Sequence, residues 1–579
     1  MRLEDYWGVG PKTRERLVSE LGREAALDAI ASADIRALTD AGVTRGRAIR
    51  ILRRANGEEG MDVFATRDAR DVYDDLVSLA AGYALTEHAA DRVRVLTPLA
   101  SVADREARLD RVLAARDAWR ALDDDARGTV EAAFAAYDDA GGSERAAVEA
   151  ALALREAGLT GGTFDALSEA DPESLRAAAR ALGRVDGDGV ASGVDDELDR
   201  RRERLAGARA MESSAFDVLE SVRERGVRDL EDFKREFVAY VTAETDVPRS
   251  AVQEAAAVEA RDDADFVSAS LRALVADLEA AVDEREATVA AEYRETVAEA
   301  RGDVDRAVEA VGDVAFDLSL ARFAEAYDLR RPALGGPDDP LALAVAGARN
   351  LDLDDPQPVT YAVGEQDVTP EAPSGHRVSV LTGANSGGKT TLLETLCQVA
   401  TLALMGLPVP ATAAAVGDFE TLVFHRRHAS FNAGVLESTL KSVVPPLSAG
   451  GRTLMLVDEF EAITEPGRAA DLLNGLVGLT VDRPALGVYV THLADELSPL
   501  PDAARVDGIF AEGLTDDLGL RVDYQPRFGT VGRSTPEFIV SRLLANARDR
   551  AERQGFETLA DAIGQEAVQR TLTDARWDG

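Results

Sequence analysis

From about residue 60 to 330, apolar positions recur at helical spacing among Ala, Leu, Glu, Asp and Arg, with few prolines. Beyond the run GGPDDP at residues 335–340, which reads as a linker, short apolar runs such as VSVLTG and TLMLVDE alternate with helical stretches. The first pattern predicts a large all-helical region, and the second an α/β unit on a mostly parallel sheet. Within the helical part, Leu271, Val275, Leu278, Val282, Val289, Tyr293, Ala300, Val304, Val311, Ala315 and Leu318 keep a mainly four-three spacing, interrupted near Arg285 and Thr296. That spacing predicts a long lever-like helix packed in an antiparallel pair. The glycine-rich acidic run at residues 183–196 reads as a loop or joint. The longest apolar stretch, about residues 392–416, is broken by Glu394, Gln398, Gly406, Pro408 and Pro410. It reads as a buried helix running into a loop and not as a membrane span.

Residues 1–57 carry two similar halves, GVGPKTRERL at residues 8–17 and AGVTRGRAIRIL at residues 41–52. Each sets a tight glycine-containing turn directly before a helix, so that backbone N–H groups at the helix start form a small anion nest. The arrangement resembles helix-hairpin-helix modules, which grip DNA phosphates without reading sequence. On that reading Gly8, Gly10, Lys12, Thr13, Gly42, Arg45, Gly46 and Arg47 contact DNA; the alternative is an ordinary helix-turn-helix corner. The cluster Arg200, Arg201, Arg202 and Arg204 reads as a solvated helix face in preference to a DNA contact.

Charge alters this picture. The 579 residues carry 105 Asp and Glu against 65 Lys and Arg, a formal net charge of -40, and only Lys12, Lys234, Lys389 and Lys441 are lysines. Repulsion of this size ordinarily argues against a polyanionic partner. Lysine depletion on a carboxylate-rich chain is also what solubility in molar salt requires, where the Debye length is only ~3 Å and DNA is hardly repelled. Halophilic adaptation is therefore preferred over an acidic interaction surface. The single Cys397 excludes an intramolecular disulfide and suits a reducing cytoplasm. Residues 1–6 are polar and acidic with no apolar segment behind them, so no secretory signal is expected.

The candidate chemistry lies in the α/β part. GANSGGKT at residues 383–390 sits between an apolar run and the helical TLLETLCQVATLAL, the strand–loop–helix context of a phosphate loop. In that pattern the backbone of Gly383, Ala384, Asn385, Ser386, Gly387 and Gly388 cradles phosphates, with Thr391 beside them. Lys389 reaches the β- and γ-phosphates, and Thr390 holds Mg²⁺. TLMLVDE at residues 453–459 ends a buried strand in two carboxylates. Asp458 is expected to hold Mg²⁺ through water and Glu459 to polarise the attacking water. GVYVTHLADEL at residues 487–497 ends another apolar strand in Thr491 and His492, placing His492 to sense the γ-phosphate. ATP and Mg²⁺ are the expected cofactors, ATP hydrolysis the expected activity, and Lys389, Glu459 and His492 its catalytic residues.

These motifs resemble the ATPase of the MutS family. GANSGGKT with the following TLLETLCQVATLALMGLPVPA is similar to the family's GPNxGGKST and its helix. YQPRFGTVGRSTPEFIVSRL at residues 524–543 resembles the segment carrying GRS in the second MutS subfamily, and FDLSLARFAEAYDLRRP at residues 316–332 the end of that subfamily's lever. The likeness covers about residues 60–545. It implies a homodimer in which ATP at the subunit interface controls a DNA-embracing clamp acting in repair or recombination. Asn385, Lys389, Thr390, Asp458, Glu459 and His492 match the family's nucleotide-site positions. FNAGVLESTL at residues 431–440 resembles the signature element that reaches the partner's γ-phosphate, with Asn432 where the family usually has Ser.

Three departures bear on function. Phe460-Glu461-Ala462-Ile463-Thr464 replaces the family's glycine-rich turn after the two carboxylates. No mismatch-reading domain with its Phe-x-Glu wedge is recognisable, and no HGxGxG stretch of a small nuclease domain is present, so nuclease activity is not expected. An archaeal branch of the second subfamily, from a halophile, fits these features. The resulting expectation is a multidomain chain: a helix-hairpin-helix unit at 1–57, an all-α lever and clamp region at 58–330, a P-loop ATPase at 331–545 and a helical tail at 546–579. The expected partner is duplex or branched DNA bound without sequence preference, in the cytoplasm and without a membrane. A ribosome- or RNA-associated ATPase using the same clamp is the second choice, and a mismatch sensor a third.

Overall fold

The computed structural model describes residues 3, 6, 8–31, 33–56, 60–186, 189–256, 259–383, 388–426, 433–459, 466–493, 496–497, 499–514, 520–532, 536–547, 549–564 and 568. They form two compact units, one of residues 1–135 and 312–579 and one of residues 136–311.

The first unit opens with helices Pro11–Leu21, Arg23–Ala31, Ile35–Asp40 and Arg45–Asn56 around Leu17, Ile30, Leu38, Ile51 and Leu52. Gly8 and Gly42 stand before the first and last of these with φ of 81° and 80°, a left-handed turn that glycine adopts without steric cost. Helix Arg67–Ala81 follows, capped by Thr66, and buries Val72, Tyr73, Leu76 and Val77 in the same core as helix Lys389–Leu404.

Two mixed sheets complete the unit. The larger has the order Leu520–Phe528, Ala504–Leu514, Val378–Gly383, Ala485–Val490, Thr453–Val457, Thr421–His425. Only the pairing of Leu520–Phe528 is antiparallel. The continuous apolar runs TLMLV and ALGVYV are buried at every position, as strands covered on both faces must be. The smaller sheet has the order Ala333–Leu334, Ala413–Val416, Ala342–Ala348, Val359–Gly364. A buried network joins the two: Tyr361 Oη donates to Ser379 Oγ at 2.6 Å, and Ser379 Oγ to Asp507 Oδ2 at 2.6 Å, while Arg505 Nε donates to Asp507 Oδ2 at 2.9 Å. Burial, reinforced by the Asp507 carboxylate, pushes the Tyr361 phenol well above its ordinary value.

An early segment lies along the strand Thr421–His425 of the larger sheet. Phe64 pairs in parallel with Leu422, Ala65 N donates to Leu422 O at 3.1 Å, and Thr66 Oγ1 donates to Phe424 O at 2.6 Å. Covering an edge in this way removes a row of unpaired backbone groups.

In the second unit, helix Asp263–Glu299 packs against helix Asp196–Ser213 around Leu198, Leu205, Phe266, Leu271 and Val282. Ion pairs Arg202–Glu286, Arg209–Glu279 and Glu212–Arg272 run in opposite chain directions, so the pair is antiparallel. The four-three spacing predicted one helix through residue 318. Instead the first helix stops at Ala300, with φ -87° and ψ 0°, and a new one spans Arg301–Ala326. Gly302, a poor helix former, follows the break. The cluster at residues 200–204 is engaged inside this unit: Arg200 and Arg201 pair with Glu197, Arg202 with Glu286, and Arg204 donates to Asp246 O. Among the described residues, no helix is long and apolar enough to cross a membrane.

Candidate functional site

Strand Val378–Gly383 runs between two parallel neighbours, Ala485–Val490 and Ala504–Leu514. Its carboxyl end therefore opens beside theirs, the usual place for a ligand in a sheet of this kind. Helix Lys389–Leu404 starts there. Lys389 Nζ donates to Gly383 O at 2.9 Å, and the side chain is only 4% exposed. Gly388 has φ 73°, and a Cβ at that position would stand 2.6 Å from the Tyr524 ring. Backbone and packing thus both demand glycine. Ala384, Asn385, Ser386 and Gly387 lie outside the described residues.

The parallel register brings the ends of the next strands to the same level. Thr390 Oγ1 donates to Asp458 Oδ2 at 2.6 Å. Asp458 N donates to His425 O at 2.9 Å, and Glu459 N to Val490 O at 3.1 Å. Glu459 is buried with φ 40°, a conformation that costs a non-glycine residue about 1–3 kcal/mol and collects at functional sites. Its Oε1 lies 2.9 Å from His492 Nε2 and 3.9 Å from Lys389 Nζ. Asn350 Nδ2 donates to Thr391 O at 3.4 Å and to Thr395 Oγ1 at 3.2 Å, bracing the first turn of the helix.

A cavity of about 870 Å³ opens over these groups, lined by Lys389, Thr390, Thr391, Asp458 and Glu459. That is within the size range of small-ligand sites. Asn350, Gln357, Arg426 and Tyr524 also line it, and no sequence motif pointed to them. Gln357 Nε2 donates to Asp523 Oδ1 at 2.9 Å, and Gln357 Oε1 accepts from Tyr524 N at 3.2 Å, which ties the loop before strand Val359–Gly364 to strand Leu520–Phe528. Tyr524 sits in the segment read for its GRS triplet, but the triplet carries no signal for an aromatic over Gly388. Asn432 and residues 460–465 lie outside the described residues.

The residues singled out near the amino terminus gather at a different place, the two turns of the first four helices. Lys12, Gly42, Arg45, Gly46 and Arg47 are exposed, Gly8 and Gly10 half-buried, and Thr13 buried. Arg45 is held by the buried Asp91, and Arg47 Nη2 donates to Gly8 O at 3.1 Å. None of these residues lines the cavity.

No family model matches the chain. Among curated proteins it is 45% identical over 201 residues to the DNA-binding protein MutS2 of Pyrococcus furiosus, covering 34% of this chain and 36% of that protein. It is 28% identical over 264 residues to the Endonuclease MutS2 of Thermomicrobium roseum, covering 43% and 32%. The DNA mismatch repair protein MutS of Granulibacter bethesdensis is 30% identical over 329 residues, covering 53% and 33%. These relatives support membership of the MutS family. The matched stretches span about a third of each MutS relative's own length. The names of those MutS relatives differ in activity, so family likeness alone selects none of them.

Proposed function

We propose that this chain is an ATP-hydrolysing, DNA-binding protein of the MutS family, from an archaeal branch of the second subfamily adapted to high salt. The observation that carries the reading is the meeting of Lys389, Thr390, Asp458 and Glu459 at one cavity beside parallel strand ends, with His492 bonded to Glu459 behind them. In this reading residues 383–391 are a phosphate loop. The Lys389 ammonium, held between Gly383 O and Glu459, supplies a compact cation for the β- and γ-phosphates, a task to which an arginine fork is poorly suited.

The Thr390 hydroxyl and Asp458 carboxylate are adjacent hard oxygen donors and fit Mg²⁺. Among the described residues no three His, Cys, Asp or Glu side chains gather to hold a metal by themselves, which suits an ion that takes its other ligands from phosphate and water. When bound, the ion would neutralise phosphate charge. Glu459 orients the attacking water and accepts its proton, while His492 Nε2 fixes the Glu459 carboxylate. Asn432 contributes from the signature segment to a partner's site.

The domain division at 57, 330 and 545 belongs to the same proposal. The two amino-terminal turns present helix starts and Lys12 to the phosphates of duplex or branched DNA. A homodimer is supported by the carboxyl-terminal helices Pro536–Asn546 and Arg550–Ile563: they pack through Val540, Leu544, Phe556 and Ala560 and leave Ile539, Leu543, Leu559 and Ile563 exposed. Nuclease activity is not part of the reading. The deciding experiment is steady-state ATP hydrolysis in molar KCl. Lys389→Ala should lower the rate by about 10²–10³-fold, and a rate equal to wild type would sink the proposal.

A further inference from the structure

The geometry points to Arg426 as a second phosphate-binding cation of this cavity, positioned by Asp68 and held by Glu394 until nucleotide takes its place. The inference rests on the nucleotide reading above. Arg426 directly follows strand Thr421–His425, at one edge of the larger sheet, whereas Tyr524 lies on the strand at the opposite edge. The two therefore enter the cavity from opposite sides. His425 O accepts from Asp458 N at 2.9 Å, which puts Arg426 on the side of the Asp458 and Thr390 pair.

Its backbone is fixed from the helical layer. Arg426 N donates to Asp68 Oδ2 at 2.8 Å, and the same carboxylate stands 3.8 Å from His425 Nδ1. Asp68 belongs to the first turn of helix Arg67–Ala81, whose cap Thr66 is bonded to Phe424. The guanidinium is less firmly committed. Nε lies 2.9 Å from Glu394 Oε1, but off the N–H axis, and has no aligned acceptor among the described residues. Burial pushes the Glu394 carboxyl above its ordinary range, opposed by Arg426 and helped by Asp352 and Asp458.

Charge balance gives the arginine its task. Among the described residues the cavity is lined by Asp354, Asp355, Asp458 and Glu459 against two cations, Lys389 and Arg426. A polyphosphate entering so acidic a space needs both, and a guanidinium can meet phosphate through two parallel hydrogen bonds. On binding, the guanidinium exchanges the Glu394 carboxylate for phosphate oxygens, while Asp68 keeps the backbone where it is.

The test is equilibrium binding of ATP and of AMP to the full chain in molar KCl with Mg²⁺, by displacement of a fluorescent ATP analogue, alongside melting temperature. Arg426→Gln should weaken ATP about tenfold and AMP less than about twofold, with the melting temperature unchanged. Arg426→Lys should restore part of the loss, and Glu394→Gln should tighten ATP by removing the competing carboxylate. If Arg426→Gln binds ATP as wild type while Lys389→Ala has lost it, the role of Arg426 is refuted and the site reading stands. Equal weakening of ATP and AMP also refutes it, because that is the mark of a structural role. If Arg426→Gln does not fold, Glu394→Gln decides, and unchanged ATP affinity overturns the inference. Wild-type binding by Lys389→Ala overturns the nucleotide reading itself.

Discussion

Arg16 and Gly42 are joined across the two amino-terminal turns: Arg16 Nη1 donates to the Gly42 carbonyl oxygen at 2.6 Å. Arg47 makes the converse bond to Gly8 O at 3.1 Å. Each turn is thus held by an arginine from the other half, which sets the spacing of the helix starts at Pro11 and Arg45. If those starts grip DNA, Arg16→Ala should lower duplex affinity by a factor of about 3–10 through lost alignment. The dependence on salt should hardly change. Lys12→Ala should instead weaken all sequences alike and lower the salt slope by about one. Fluorescence anisotropy across a KCl series separates the two.

The Asp507 carboxylate is fully buried beneath Arg505, Tyr361 and Ser379, and Gly529 N also donates to it at 3.1 Å. Breaking a buried pair by neutralising one partner leaves the other charge stranded. Asp507→Asn should therefore destabilise the unit that contains it by about 3–5 kcal/mol. The checks are its melting transition and retained solubility; a transition within a degree of wild type would show the network to be dispensable.

Asp195 caps helix Asp196–Ser213 through Leu198 N and takes two hydrogen bonds from Arg285. The Arg285 bonds first, and the cap second, hold its carboxyl down at about 2, below the ~3.9 of an unfolded chain. A depressed carboxyl contributes stability that is complete above the unfolded value and is lost as pH falls through the folded one. Asp195→Asn should melt below wild type at pH 7, and the gap should close as the pH falls from about 4 toward 2. Thermal melts at several pH values decide this.

The exposed Ile539, Leu543, Leu559 and Ile563 supply the prediction for assembly. Ile539 and Leu543, and likewise Leu559 and Ile563, stand four residues apart on their helices and so share a helical face in each pair. Ile539→Asp with Leu559→Asp should convert a dimer into a monomer by light scattering, with ATP hydrolysis falling in step. A wild-type chain that is monomeric at tens of micromolar would remove the dimer from the reading.

The strand before residue 384 and the helix after 388 were legible because an apolar run, a glycine-rich loop and a helical run lie next to one another in the chain. The same holds for the buried run at Thr453–Val457. Arg426 and Tyr524 were not legible: the sheet order departs from chain order, so nothing local says that the two edge strands face one cavity. Arg505 and Asp507, two apart on a strand, look like a surface pair in an acidic protein until Tyr361 and Ser379 close over them. The break at Ala300 escaped the four-three spacing because alanine fits a helix seam as well as a helix end.

Thr66 and Phe424 are 358 residues apart in the chain, yet their bond seats the early segment on the larger sheet. At a synthesis rate of about 5–20 residues per second, Thr66 waits roughly 20–70 s for its partner strand to be made. The segment leaves the ribosome 358 residues ahead of Phe424 and cannot reach its place until that strand has followed. A fragment starting after residue 66 would reach the same sheet with its Thr421–His425 edge open to another molecule. Ribosome-bound and truncated chains therefore share one vulnerability, an unclosed sheet edge.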